Sequence, residues 1–215
     1  KGKYHKNFLA QLVSGQLDLD RMDYLNRDSF FTGVSEGVIS FDRIIKMFNV
    51  LDDNLVIEEK GIYSIENFLI SRRLMYWQVY LHKTVIAGEM VLVKILKRAK
   101  ELAVRGEGLF ATPALQHFLI NDVTETSFFS EEIHLSMFVQ LDDQDIFASI
   151  KVWRDHPDRI LAQLCKMLTN RNLYKVEITN DGPDQNRVDV LKENTAEFLK
   201  LSNDEVSYFV FTDVI

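Results

Sequence analysis

Between residues 64 and 104 the sequence holds a single glycine, Gly88, and no proline. A stretch that long with so few helix breakers predicts one very long helix, or two joined by a kink at Gly88, closed by Gly106. The rest of the chain shares the trait, with 9 Gly and 3 Pro in 215 residues, below the usual shares of roughly 7% and 5%. A mainly α fold is therefore expected, in place of a turn-dense sandwich or barrel. The 47% of hydrophobic residues is enough to fill a sizeable core.

Periodicity and capping residues divide the remainder. Residues 7–13 predict a short helix, and 18–31 a longer one with Asp18 as N-cap and a stop at Thr32-Gly33. Ser40 and Asp42 open another helix through Met47, residues 55–59 read as a strand, and Ser64 reads as the cap of the long helix. After Pro113 the pattern gives helices at 115–120, 131–139 and 142–153, then one from Pro157, placed in its first turn, to Thr169. The tail changes character: a strand at 174–179, a turn at 180–183, an amphipathic helix at 188–201 and a strand at 208–214. The expected architecture is a mainly α helical-bundle portion over 1–110, a helical extension over 111–172 and a small α+β appendage over 173–215.

Bulk properties narrow the function classes. A net charge of −7 disfavours nucleic acid and anionic membranes as partners. Cys165 is the single cysteine, so no disulfide framework exists within the chain and a reducing, cytoplasmic setting is expected. The longest apolar run, 85–96, is interrupted by Glu89 and Lys94 and is too polar to span a bilayer. The sequence shows no signal-peptide pattern. Beginning at Lys1 and stopping in the apolar run 208–215, the chain reads as a cut from a longer protein.

Two constellations carry chemistry. In Gln16-Leu-Asp-Leu-Asp-Arg-Met-Asp-Tyr-Leu-Asn-Arg-Asp-Ser29, a step of about 100° per residue puts Asp20, Arg21, Tyr24, Arg27 and Asp28 on one helix face, with Met22 and Leu25 turned away. Carboxylates bind hard cations, guanidinium grips phosphate bidentately, and a phenol packs on or hydrogen-bonds a sugar. The commoner reading of such a run is a solvated face laced with ion pairs. The second stretch, Ile70 to Thr84, aligns Arg72, Tyr76 and Lys83 on a stripe with Arg73 and Tyr80 at its edge. Basic and aromatic side chains in alternation suit a triphosphate and a base, although long cationic stems lying over apolar neighbours give the same pattern.

The stretch Asp18-Leu-Asp-Arg-Met-Asp-Tyr-Leu-Asn-Arg-Asp28, with Thr32-Gly33 after it, resembles the final metal-ligand helix of HD-domain phosphohydrolases, most closely the dNTP (dGTP) triphosphohydrolases. Arg72 and the spacing Tyr80-x-His82-Lys83 resemble the same family. The resemblance implies an HD-type helical bundle, a divalent metal ion as cofactor, a nucleotide substrate and a homo-oligomer. It implies Asp20 as metal ligand, and Arg21, Tyr24, Asp28, Arg72, Tyr80 and His82 as substrate contacts. Lys83 would face a regulatory nucleotide. The implied reaction is attack of water on the α-phosphorus of a dNTP, releasing deoxynucleoside and tripolyphosphate.

One departure stands out: the family's lone His and His-Asp pair should precede Asp20, yet no His-Asp dipeptide occurs in the sequence. One carboxylate does not hold a catalytic cation, so this chain alone is expected to be inactive. The alternative is a non-catalytic nucleotide-binding or oligomerisation module on the same scaffold. Elsewhere, Cys165 and Trp153 read as core, Asp142, Asp143 and Asp145 as a helix start, and the five histidines show no zinc spacing.

Overall fold

A computed structural model describes residues 5–179 and 181–214, and in it the chain forms two compact units, Lys1–Val85 and Ile86–Ile215. The fold is mainly helical with a small α+β portion, as the scarcity of breakers requires.

The first unit opens with α1 (Asn7–Ser14) and α2 (Leu19–Thr32). Asp18 caps α2 by accepting from the Arg21 N–H, and Gly33 ends it at φ 72, a left-handed value that costs glycine least. Next come α3 (Phe41–Met47), β1 (Phe48–Leu51), β2 (Asn54–Ile57) and α4 (Ile62–Met75). The two strands pair antiparallel, Phe48 opposite Ile57 and Leu51 opposite Asn54. Asp52 and Asp53 turn between them with φ 49 and 59, the geometry of a two-residue hairpin. The hairpin is tied to α1, since the Asn7 N–H donates to Asp53 at 2.8 Å and the Leu55 N–H to Gln11 at 2.7 Å. Met22, Leu25, Ile39, Ile44, Phe68 and Met75 form this unit's core. Of the hairpin, sequence patterning anticipated only the second strand.

The long helical stretch breaks, but away from Gly88. After α4 the backbone forms a π-helical turn over Tyr76–Tyr80, closed where the Leu81 N–H donates to the Tyr76 carbonyl at 2.8 Å. A fresh helix, α5 (Lys83–Val104), follows. Gly88 stays helical inside α5, where a Cβ would meet Leu173 at an ordinary van der Waals distance of 3.9 Å, so nothing at this position forces a kink. At the other end of the stretch the cap position falls to Gly61, because a 3-10 turn at Glu59–Gly61 leads straight into α4 and leaves Ser64 inside it.

The second unit holds most of α5, then α6 (Pro113–Ile120), α7 (Glu125–Ser130), α8 (Glu132–Phe138), α9 (Asp143–Trp153), α10 (Arg159–Thr169) and α11 (Gln185–Leu199). The helix expected at 131–139 is α8, and the capping pattern missed α7 just before it, where Thr124 and Ser127 form a capping box and the extended Glu131 separates the two helices. Asp142 caps α9 as expected. Pro157 lies before α10 and not in its first turn: Asp158 is the cap, its carboxylate accepting from the Leu161 N–H at 2.8 Å.

The tail strands expected at 174–179 and 208–214 have no ladder partner among the described residues, and Glu205–Tyr208 is instead a 3-10 turn. Alternating apolar side chains report one-sided burial, which here is met by docking on helices: Tyr174 and Phe209 pack against the core, and the Tyr174 hydroxyl donates to the Tyr208 carbonyl at 2.6 Å. Asn180, at the head of the expected turn, and Ile215 lie outside the described residues. The core gathers Val91, Ile95, Leu102, Leu115, Ile150, Trp153, Leu161, Leu164 and Cys165, so Cys165 and Trp153 take the core roles expected of them. Arg98 is buried beside this core and forks onto Asp158, with Nε and Nη2 at 3.1 and 2.6 Å from its two oxygens. Among the described residues no helix is long and apolar enough to cross a membrane.

Candidate functional site

The sequence of α2 sorts its two faces by polarity. Met22, Leu25 and Ser29 are buried, and Tyr24 and Asp28 face the π-helical turn. There the Tyr80 hydroxyl donates to Asp28 Oδ2 at 2.6 Å, joining positions 52 residues apart. Tyr24 meets Tyr80 edge to face at 5.9 Å between ring centroids, and Tyr76 meets Tyr80 at 5.2 Å. The Arg72 guanidinium lies 5.7 Å from the Tyr76 ring centroid, a cation–π distance. One carboxylate, three phenols and a guanidinium thus share a half-buried cluster.

Burial raises the Tyr80 phenol far above its ordinary value, and its bond to Asp28 adds to the effect. Tyr24 is raised as well, by burial first and then by Tyr76, with the Arg72 and Arg21 charges opposing. Both phenols therefore remain protonated donors near neutral pH. Hydroxyl donors beside a planar cation can address sugar hydroxyls and phosphate oxygens together.

The other expected site residues lie differently. Asp20 is exposed in the first turn of α2. Arg21 is engaged locally, with Nη1 bonded to Asp18 Oδ2 at 2.6 Å and to the Gly15 carbonyl. Arg27 pairs with Asp23 at 2.7 Å in place of joining the cluster. His82 is exposed and accepts the Thr84 N–H on Nδ1 at 3.2 Å, while Lys83 is the exposed first residue of α5. The cluster thus gathers Tyr24, Asp28, Arg72 and Tyr80, and leaves Asp20, His82 and Lys83 outside. It adds Tyr76, whose part depends on the π-helical turn. A uniform 100° step through residue 83 conceals that turn, which is why it left Tyr80 at the edge of the stripe.

Among the described residues no three His, Cys, Asp or Glu side chains converge to hold a metal ion. Asp20 is a single hard oxygen donor where even a minimal centre needs several. The residues described here do not fit a complete divalent-metal site.

Comparisons with known proteins define a class first. Residues 39–110 match the family model described as the HD associated region. Its span covers α3, the hairpin, α4, the π-helical turn and α5. Three relatives then narrow the comparison. A solved structure, a phosphohydrolase from Bacteroides thetaiotaomicron, is 55% identical and superposes with a TM-score of 0.91, covering 96% of this chain and 51% of that one. The uncharacterized protein YwfO of Bacillus subtilis is 39% identical over 80% of this chain and 38% of its own length. The deoxynucleoside triphosphate triphosphohydrolase SAMHD1 homolog of Dictyostelium discoideum is 26% identical over 78% of this chain and 28% of its own length. These matches relate the chain to HD-domain proteins. It spans about two fifths of YwfO and half of the Bacteroides phosphohydrolase.

Proposed function

We propose that this chain is the C-terminal part of an HD-type phosphohydrolase acting on deoxynucleoside triphosphates. The observation that carries the reading is the cluster of Tyr24, Asp28, Arg72, Tyr76 and Tyr80, whose hydroxyl donors and guanidinium match a sugar and a phosphate chain. The similarity to a phosphohydrolase and to a dNTP triphosphohydrolase homolog supports it.

In this reading Arg72 grips a phosphate through its planar fork, and Tyr24, Asp28 and Tyr80 order the sugar end. Arg21 would have to leave Asp18 to reach a phosphate, and His82 borders the nucleoside. Water attacks the α-phosphorus, the bond to the 5′-oxygen breaks, that oxygen takes a proton, and deoxynucleoside leaves with tripolyphosphate. Orientation and fixed positive charge are the contributions these side chains make. Asp20 is the one carboxylate this chain would lend to a divalent-metal centre whose other ligands lie in a longer polypeptide. Lys83 is assigned to a regulatory nucleotide, and the assembled protein to at least a dimer in the cytoplasm.

The test uses the protein at its full natural length, incubated with each of the four dNTPs and a divalent cation. Release of tripolyphosphate, lost in Asp20→Ala, is the expected result. Nucleotide binding without any phosphate product would overturn the hydrolase reading in favour of a non-catalytic nucleotide-binding or oligomerisation module. Light scattering on the same sample measures the oligomer.

A further inference from the structure

In the second unit two histidines meet between α6 and α8. His117 Nε2 and His134 Nδ1 lie 2.7 Å apart, with the rings tilted by 53°. His134 is buried, its side chain 8% exposed, and His117 is half-buried. A nitrogen–nitrogen separation that short is a hydrogen bond. An imidazole nitrogen donates only when protonated and accepts only when bare. The contact therefore needs one proton between the rings: none leaves two lone pairs opposed, and two set N–H against N–H.

The outer nitrogens complete a directional chain. Asn121 Nδ2 lies 3.4 Å from His117 Nδ1, and a Glu131 oxygen lies 3.5 Å from His134 Nε2. With both rings neutral, the Asn121 amide donates to His117, His117 to His134, and His134 toward Glu131. Around this chain the aromatic rings interlock, Phe118 and Phe128 each meeting Phe138 edge to face at 6.4 and 5.6 Å.

We propose that His117 and His134 form a one-proton latch that seats α8 on α6 and releases it when both rings become charged. A proton on the outer nitrogen of His117 would leave the inner bond intact. A second proton has only the inner acceptor left, so the bond is lost and two imidazolium rings face each other. The charged groups on the surrounding elements are Glu125 of α7, Glu132 of α8, and Asp143, Asp145 and Lys151 of α9. Lys100 of α5 donates to the Asn121 carbonyl at 3.2 Å and sits 3.9 Å from Asp122. Among the described residues, Glu131 is the acid that reaches a ring nitrogen of the pair. Release of α8 would uncover the half-buried rings of Phe118 and Phe128, which Phe138, itself exposed, meets edge to face.

The latch makes no use of the nucleotide cluster, so its test is independent of the proposed activity. In the full-length protein, nitrogen-15 NMR of the imidazoles at about pH 7.5 should show one protonated and one bare nitrogen at the His117–His134 contact. Hydrogen exchange of the α8 amides, corrected for intrinsic rate, should speed up roughly tenfold or more between about pH 7.5 and pH 4.5. His134→Leu should exchange at similar corrected rates at both values. Equal protonation of the two inner nitrogens, or wild-type α8 protection that ignores pH, would overturn the latch. The NMR result on the wild type stands whether or not the leucine variant folds.

Discussion

Tyr80 donates its hydroxyl to Asp28 at 2.6 Å across 52 residues of sequence, and this one bond fastens the π-helical turn to α2. The π turn holds Tyr76 and Tyr80 together at one end of α4, so the bond anchors the whole aromatic cluster. π turns are rare in helices and occur often at functional sites.

Tyr80→Phe should keep the ring contacts with Tyr24 and Tyr76 and remove only the hydroxyl. Chemical denaturation should show a loss of about 1–2 kcal/mol, the range for a hydrogen bond to a charged acceptor that is partly solvated. Nucleotide affinity should fall severalfold. Unchanged affinity and stability together would show the bond to be incidental.

Asp20 is exposed, so Asp20→Ala should change stability by no more than about 0.5 kcal/mol. Its effect is expected in turnover alone, measured as tripolyphosphate release by the full-length protein. A large drop in melting temperature would instead give Asp20 a structural role.

The Arg98–Asp158 pair should carry an acid limit of stability. Burial acts to raise Asp158, yet the Arg98 bonds, the Leu161 N–H and the Arg98 charge outweigh it and hold the carboxyl below its ordinary value. Arg98 in turn is raised, mainly by its bonds to Asp158. A carboxyl depressed in the folded state contributes stability that is complete above the unfolded value of about 3.9 and fades as pH falls below it. Arg98→Ala leaves that half-buried carboxylate without its cation and should cost about 2–3 kcal/mol in a denaturation series at neutral pH. The extra acid sensitivity below about pH 4 should shrink with it, leaving the part that the Leu161 N–H sustains.

Cys165 should be inert in the folded protein. Burial pushes its thiol up to about 12, with a small opposing effect from Arg154, so almost no thiolate forms at pH 8. A thiol reagent should label it only after denaturant is added. Prompt labelling of the native protein would show that the second unit opens readily.

Local chemistry in the sequence was sufficient for much of this molecule. Asp18 as a cap, Gly33 and Gly106 as stops, and the scarcity of Gly and Pro determine most helices, because capping and periodicity act within four residues of themselves. The α2 face that presents Tyr24 and Asp28 was legible for the same reason, as was the core position of Cys165. The tertiary structure decided what depends on distant partners. The π turn at Tyr76–Tyr80 is selected by where Tyr80 finds Asp28, and the tail's alternating residues dock on helices, with no strand beside them among the described residues. Arg21 turns to Asp18 and the Gly15 carbonyl, and His117 meets His134. Periodicity states which side of a segment is buried, and only the folded chain supplies what it is buried against.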